Sequence, residues 1–274
     1  MPTLLTALFL ALFPVGSQDP PTILGRCPVD RRPAAQWTLP GRLREISGLA
    51  RLESGELVAH NDERARITVL DPKSGAALRS FDLQGEPRDD IEGIATGDGI
   101  LYLMNSSGRV YVTRVGQDGE KVPFTTVDTG LGRLCELEGL AWDGRRKALM
   151  LPCKRPRTTE LAGQLTLFVV PVAGGQPSRI EVPLAEIARR TGQRAIEPTA
   201  VEVDERTGHL LVLSSGPRMV VELDGDGTLV AAVELKKSRH PQPEGLTILP
   251  EAILVSDEGT DGGPGTISVY ACQR

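Results

Sequence analysis

The chain has 274 residues, 40% of them hydrophobic, enough to bury the core of one large or two small domains. A formal charge of -5, from 31 Lys and Arg against 36 Asp and Glu, argues against nucleic acid or an anionic membrane as the principal partner and favours a cation. With 30 Gly and 21 Pro separating short runs rich in Val, Ile, Leu and Thr, and almost no sustained helical period, the composition predicts an all-β sandwich, barrel or propeller.

Residues 1–18, MPTLLTALFLALFPVGSQ, form an apolar run of signal-peptide length followed by small and turn-forming residues. The mature chain is therefore expected to be exported, to the periplasm or the cell exterior, with no stable membrane span. The run lacks a basic n-region, so an uncleaved anchor remains the alternative, although the run is short for a span. Residues 19–34 read as an N-terminal extension and 35–274 as the folded domain. Four cysteines, an even number, suit an oxidising compartment. Three pairings are open to them, and the absence of any Cys-x-x-Cys pair argues against structural zinc.

From Glu45 onward one phrase recurs five times: Glu45-Ile46-Ser47-Gly48-Leu49-Ala50, Asp90-Ile91-Glu92-Gly93-Ile94-Ala95, Glu136-Leu137-Glu138-Gly139-Leu140-Ala141, Ala195-Ile196-Glu197-Pro198-Thr199-Ala200 and Gln242-Pro243-Glu244-Gly245-Leu246-Thr247. Taking Ser47, Glu92, Glu138, Glu197 and Glu244 as equivalent, the spacings are 45, 46, 59 and 47 residues, close to one four-stranded propeller blade in three of four cases. The first interval divides into strands Ile46 to Ala50, Glu56 to His60, Ile67 to Asp71 and Ala77 to Leu83, with Gly-containing turns between them. In the second, strands fall at Leu101 to Met104, Val110 to Val115 and around Thr125 to Val127; in the fourth, at Leu210 to Leu213, Val220 to Leu223 and Leu229 to Leu235. Asp224-Gly225-Asp226-Gly227 lies between two of these strands and reads as a hairpin turn rather than a calcium loop. The long third interval holds a connection from Pro152 to Gly163 and a short amphipathic helix from Pro183, ending at Gly192.

Motif count gives five blades, with six as the alternative. The last interval supplies only three strands, so Ala35-Gln36-Trp37-Thr38-Leu39 is expected to complete it and close the ring. Cys27 and Cys272 would then be neighbours, and Cys135 and Cys153 form the other natural pair.

In an up-and-down blade, strand A starts on the face where B ends, so the motif glutamates converge at one mouth of the central channel. The ends of the B strands add His60-Asn61-Asp62-Glu63, Lys154-Arg155 and Ser256-Asp257-Glu258. Crowded carboxylates repel, and a hard cation relieves them. Oxygen donors with only three histidines suit calcium better than zinc. The expected ligands are Glu92, Glu138, Glu197, Glu244, Asp62 and Asp257. The alternative is that the glutamates cap inner-strand amides or pair with Arg44, Arg88 and Arg133. The motif glycines are expected to serve close packing of the inner strands. His60 is a candidate general base or ligand, and Lys154 and Arg155 are candidates to grip a small anionic ligand.

SGLA, DIEGIA, LEGLAWD and PEGLTI, with HNDERARITVLDPKSG and VSDEGTDGGPGTISVY, resemble the SdiA-regulated, YjiK-like family of bacterial β-propellers, from about Glu45 to Tyr270. That resemblance implies calcium binding; a more distant likeness to phytase-like propeller hydrolases implies calcium-assisted phosphoester or ester hydrolysis as a second possibility. Two functions are thus expected: an exported calcium-binding propeller that recognises a small molecule or an envelope partner, or a calcium-dependent hydrolase. No Gly-x-Ser-x-Gly elbow or P-loop supports serine or nucleotide chemistry.

Overall fold

A computed structural model describes residues 22–62, 65–85, 87 and 89–273, so the signal-peptide and anchor expectations fall outside the described residues. Among those described, no helix is long and apolar enough to cross a membrane.

The chain folds into a five-bladed β-propeller. Blade one is Ile46–Arg51, Leu57–Asn61, Arg66–Leu70 and Ala77–Leu83, in strand order A to D. Blade two is Ile91–Gly97, Ile100–Asn105, Arg109–Thr113 and Thr125–Asp128, and blade four is Pro198–Val203, Leu210–Ser215, Arg218–Leu223 and Leu229–Glu234. Blade five takes Pro243–Leu249, Ala252–Asp257 and Thr266–Ala271 from the end of the chain, and its outer strand is Ala35–Thr38. That strand pairs antiparallel with Thr266–Ala271, Trp37 opposite Ile267, as the incomplete last repeat requires. The predicted closure is the observed one, and the count is five.

Blade three departs from the expected spans. Its A strand is split into Cys135–Leu137 and Ala141–Asp143, and both pieces pair with one long B strand, Ala148–Pro156. Gly139 lies at the break, with φ +87 and no room for a Cβ, which would meet Ala200 Cα at 2.8 Å. Much of the expected Pro152 to Gly163 connection is therefore strand, which places Lys154 in a ladder rather than a loop. The helix is present as Leu184–Thr191, closed by left-handed Gly192. Asp224 accepts from the backbone of Asp226 and Thr228, so the Asp-Gly-Asp-Gly segment is a turn held by its own carboxylate.

Side-chain alternation gives each sheet two apolar faces, and every face packs on a neighbouring blade. The core accordingly consists of five wedges, one at each blade junction, such as Val58, Ile67 and Phe81 against Ile94, Leu103 and Tyr111. The junction of blades four and five takes in a further element, the short helix α1 (Ile23–Arg26) of the N-terminal extension. Its first amides, Ile23 and Leu24, donate to the buried Glu222 carboxylate at 2.9 and 3.0 Å, which satisfies helix-end donors with a negative charge. Disulfides join Cys27 to Cys272 across the closure and Cys135 to Cys153 within blade three. Lys121–Val122, from the C–D connection of blade two, adds a short parallel strand to the outer edge of blade one.

Candidate functional site: the carboxyl rim

At the start of four A strands the ladder slips by one residue. Ile46 faces Asn61 and Gly48 faces His60; Ile91 faces Asn105 and Gly93 faces Met104; Pro243 faces Asp257 and Gly245 faces Ser256; Pro198 faces Ser214 and Ala200 faces Leu213. The residue skipped at each bulge is Ser47, Glu92, Glu244 or Thr199, and a bulge re-aims the side chain it frees. In blade three Leu137 faces Cys153, which puts Glu138 at the corresponding place. The inner ring is therefore Ser47, Glu92, Glu138, Thr199 and Glu244. Glu197 stands two residues earlier, level with Glu45, Asp90 and Gln242.

This register explains the glycines. A Cβ on Gly48 would run into the His60 ring and one on Gly245 into Ser256 Oγ, while one on Gly93 would meet Leu140 Cβ at 2.8 Å. Close packing, as expected, excludes larger side chains from the inner strands.

Three of the five ring residues are glutamates, and they interact across the axis. The Glu138 and Glu244 carboxyls share a hydrogen bond, although blade four lies between theirs. Thr199 of that blade turns its hydroxyl instead to the Pro243 carbonyl, at 2.9 Å. Lys154 makes an ion pair with Glu138, which is only 4% exposed. Burial, followed by the charge of Glu138 and the hydrogen bond to it, pushes Glu244 up to about 10. Burial also raises Glu138, against the pull of Lys154, so the two carboxyls hold one proton between them. Burial opposes the charge on Lys154, but Glu138, with Glu244 and Glu92 behind it, outweighs burial and raises the lysine.

Glu92 accepts from the Ser47 hydroxyl at 3.1 Å and is pushed up to about 8 by burial, then by Glu138 and Asp90. Glu258, whose carboxylate accepts from the Gln242 side chain, is pushed to about 7 by burial, then by Asp62, Glu45 and Glu138. Sequence reasoning left Glu258 out of the ligand set, yet it faces the cluster more directly than its neighbour Asp257. Asp62 belongs to the same rim: its charge acts on Glu258, and its carbonyl receives the Ile91 amide at 3.2 Å.

The other predicted residues stand elsewhere. Asp257 is 1% exposed and hydrogen-bonds to His240 at 2.7 Å, while the other nitrogen of His240 meets the Tyr270 hydroxyl. Its carboxylate is thus taken by His240 and the Gln242 amide. The Glu197 side chain lies against Gly216, where a Cβ would come within 2.6 Å of Oε2. His60 is fully buried, pushed down to about 4 by desolvation, and bonds Nδ1 to the Asn61 carbonyl; it is a neutral packing residue beneath the rim. Arg155 pairs with Glu136 at 2.8 Å on the exposed side of its strand. Of the arginines expected as alternative partners, Arg133 bonds to the Gly130 carbonyl and Arg88 lies outside the described residues, while Glu138 pairs with Lys154.

The donor set is made of carboxyl oxygens, the chemistry a hard cation uses. Glu138 is taken by Lys154, while Glu92, Glu244 and Glu258 are the carboxyls that burial raises most clearly. As they stand, no three Asp, Glu, His or Cys side chains among the described residues form a ready-made metal cage.

A model of the family described as SdiA-regulated matches residues 34–257. Among solved structures, the chain is similar to the glutaminyl cyclase of Myxococcus xanthus, with TM-score 0.61, 15% identity, and 88% of this chain and 96% of that one covered. It is also similar to the PQQ-bound aldose sugar dehydrogenase of Streptomyces coelicolor, with TM-score 0.58, 16% identity, and coverage of 88% and 99%. At such identities the likeness is one of fold.

Proposed function

Since the chain belongs to the SdiA-regulated family, its model spanning residues 34–257, we propose that it is an exported propeller that binds a divalent cation of the calcium kind at the carboxyl rim. The observation that supports this reading is the set of carboxyls, Glu92, Glu244 and Glu258, held up to about 8, 10 and 7 by burial and mutual repulsion. Without a cation they remain wholly or partly protonated; a cation would favour their charged forms and draw them together. Glu92, Glu244, Glu258 and Asp62 would hold the ion, while Glu138 keeps Lys154. Two disulfides support the exported setting.

The test is a calcium titration of the mature protein in weakly buffered solution near neutral pH. Binding must release protons and tighten as pH rises. Thermal melts should move upward, by about 2.7 kcal/mol of stability at 100 times the dissociation constant. No proton release together with an unchanged melt in millimolar calcium would overturn the reading.

A second reading, calcium-dependent ester or phosphoester hydrolysis, draws support from Glu258. A carboxyl near 7 is half ionised at neutral pH and suited to take a proton from water. Phosphomonoesters, phosphodiesters, lactones and carboxylic esters, assayed with calcium and with chelator, separate the two. Turnover lost in Glu258→Gln supports the enzyme; calcium binding with no turnover on any class leaves the binding protein.

A further inference from the structure

At the opposite end of the channel, where the A strands finish, the A–B hairpins surround a bowl of about 820 Å3. That is the size of a small-molecule site. Many charges line it, but most are already used. Asp98 is paired with Lys147 at 2.9 Å and Asp143 with Arg146 at 2.6 Å, and Glu53 accepts the Gly99 amide at 3.0 Å. Asp204 holds its own turn through Thr207, and Arg145 donates to the carbonyls of Glu205, Arg206 and Thr207.

Three arginines are not used in this way. Arg26, Arg51 and Arg206 line the bowl, and none of their guanidinium groups donates to a protein acceptor among the described residues. Arg26 Nε is buried with no hydrogen-bond partner, a costly arrangement that an anion would relieve. Against them stand the exposed Glu205 and, deeper, Glu202. One Glu202 oxygen accepts from Thr247 Oγ1 at 2.9 Å and the other from the Val203 amide at 3.0 Å. Burial pushes this carboxyl up to about 7; Glu205 adds to the rise, and the two hydrogen bonds and Arg51 oppose it. Both mouths thus carry acidic side chains, but the one where the A strands end also gathers arginines.

We propose that this bowl is a second binding site, for a small organic acid whose carboxylate or phosphate group is held by Arg26 and Arg51, with the Glu202 carboxyl beside them. Arginine forks match both kinds of oxyanion. Arg26 is set in place by the neighbouring Cys27–Cys272 link, so closure of the ring also completes the bowl.

Calorimetric titration with sulfate and with succinate tests this, since neither probe changes charge appreciably between about pH 6.5 and about pH 8.5, while Glu202 does. Both should bind in preference to chloride at equal ionic strength, and roughly tenfold more weakly at the higher pH, where ionised Glu202 repels them. Glu202→Gln, which mimics the protonated acid, should bind at both pH values without that loss. Arg51→Ala and Arg26→Ala should each lose at least about tenfold at both, with Arg51→Gln replacing Arg51→Ala should that variant fail to fold. Succinate binding without sulfate binding would narrow the ligand to carboxylic acids; the reverse would favour phosphate esters. No preference for either anion over chloride, or arginine variants that bind like the parent, would overturn the proposal.

Discussion

Glu138 of blade three and Glu244 of blade five meet across the channel axis and share one proton, with Lys154 paired to Glu138. The cluster is therefore a chain of ammonium, carboxylate and carboxylic acid. Its members should be energetically coupled.

Replacing Lys154 with Met leaves a buried carboxylate without its counter-charge, which typically costs about 3–5 kcal/mol. Urea denaturation of Lys154→Met should show a loss in that range. The double variant with Glu138→Gln should recover much of it, because the uncompensated charge is then gone. Additive losses in the two single variants would show that the pair is not coupled.

The raised carboxyls fix the sign of the pH dependence. Glu258, Glu92 and Glu244 titrate near 7, 8 and 10 in the folded chain, against an ordinary glutamate value of 4.5. Between 4.5 and those values the folded state binds more protons than the unfolded one, so stability without calcium falls as pH rises through this window. Melts in chelator should fall from about pH 5 to about pH 8. Saturating calcium should flatten or reverse the slope, since it favours the charged forms. Chelated melts that rise over the same range would count against protonated carboxyls at the rim.

Closure should matter more than its small size suggests. The Cys27–Cys272 link spans 245 residues. Loss of a native disulfide commonly costs about 2–5 kcal/mol, and Cys272→Ser should lower the melting temperature accordingly. Peptide mapping without reduction should recover Cys27 with Cys272 and Cys135 with Cys153.

Gly48→Ala should destabilise by about 1–3 kcal/mol, because the new methyl enters the space of the His60 ring. Combining it with His60→Ala should cost less than the sum of the two single changes. Full additivity in denaturation would mean that the two sites do not share that space.

The repeats made the ring, its count and its closure legible, because bulged A strands repeat a short phrase and the last repeat lacks a strand. The site was harder to read. Glu197 was aligned by its identity, whereas the prolines carry the register: Glu197-Pro198-Thr199-Ala200-Val201 matches Gln242-Pro243-Glu244-Gly245-Leu246, which puts Thr199 in the ring. Asp257 and Glu258 are adjacent in sequence, and alternation sends one inward to His240 and the other to the rim; no local pattern tells which. Lys154 looked like a loop cation because the broken A strand at Gly139 hid the length of its partner strand. The bowl's arginines carry no sequence signal of their own: Arg26, Arg51 and Arg206 are far apart in the chain, and only the fold brings them together.

Ala35–Thr38 is synthesised before all the other strands of the ring, and its ladder partner, Thr266–Ala271, after all of them. For nearly the whole of its synthesis the chain is an open row of blades with no way to become a circle. Whatever order the inner blades adopt, the outer edge of the fifth cannot be covered until its last strand arrives. The chain is thus kept open by its own topology until then, and the finished ring is reached only once these two strands can pair.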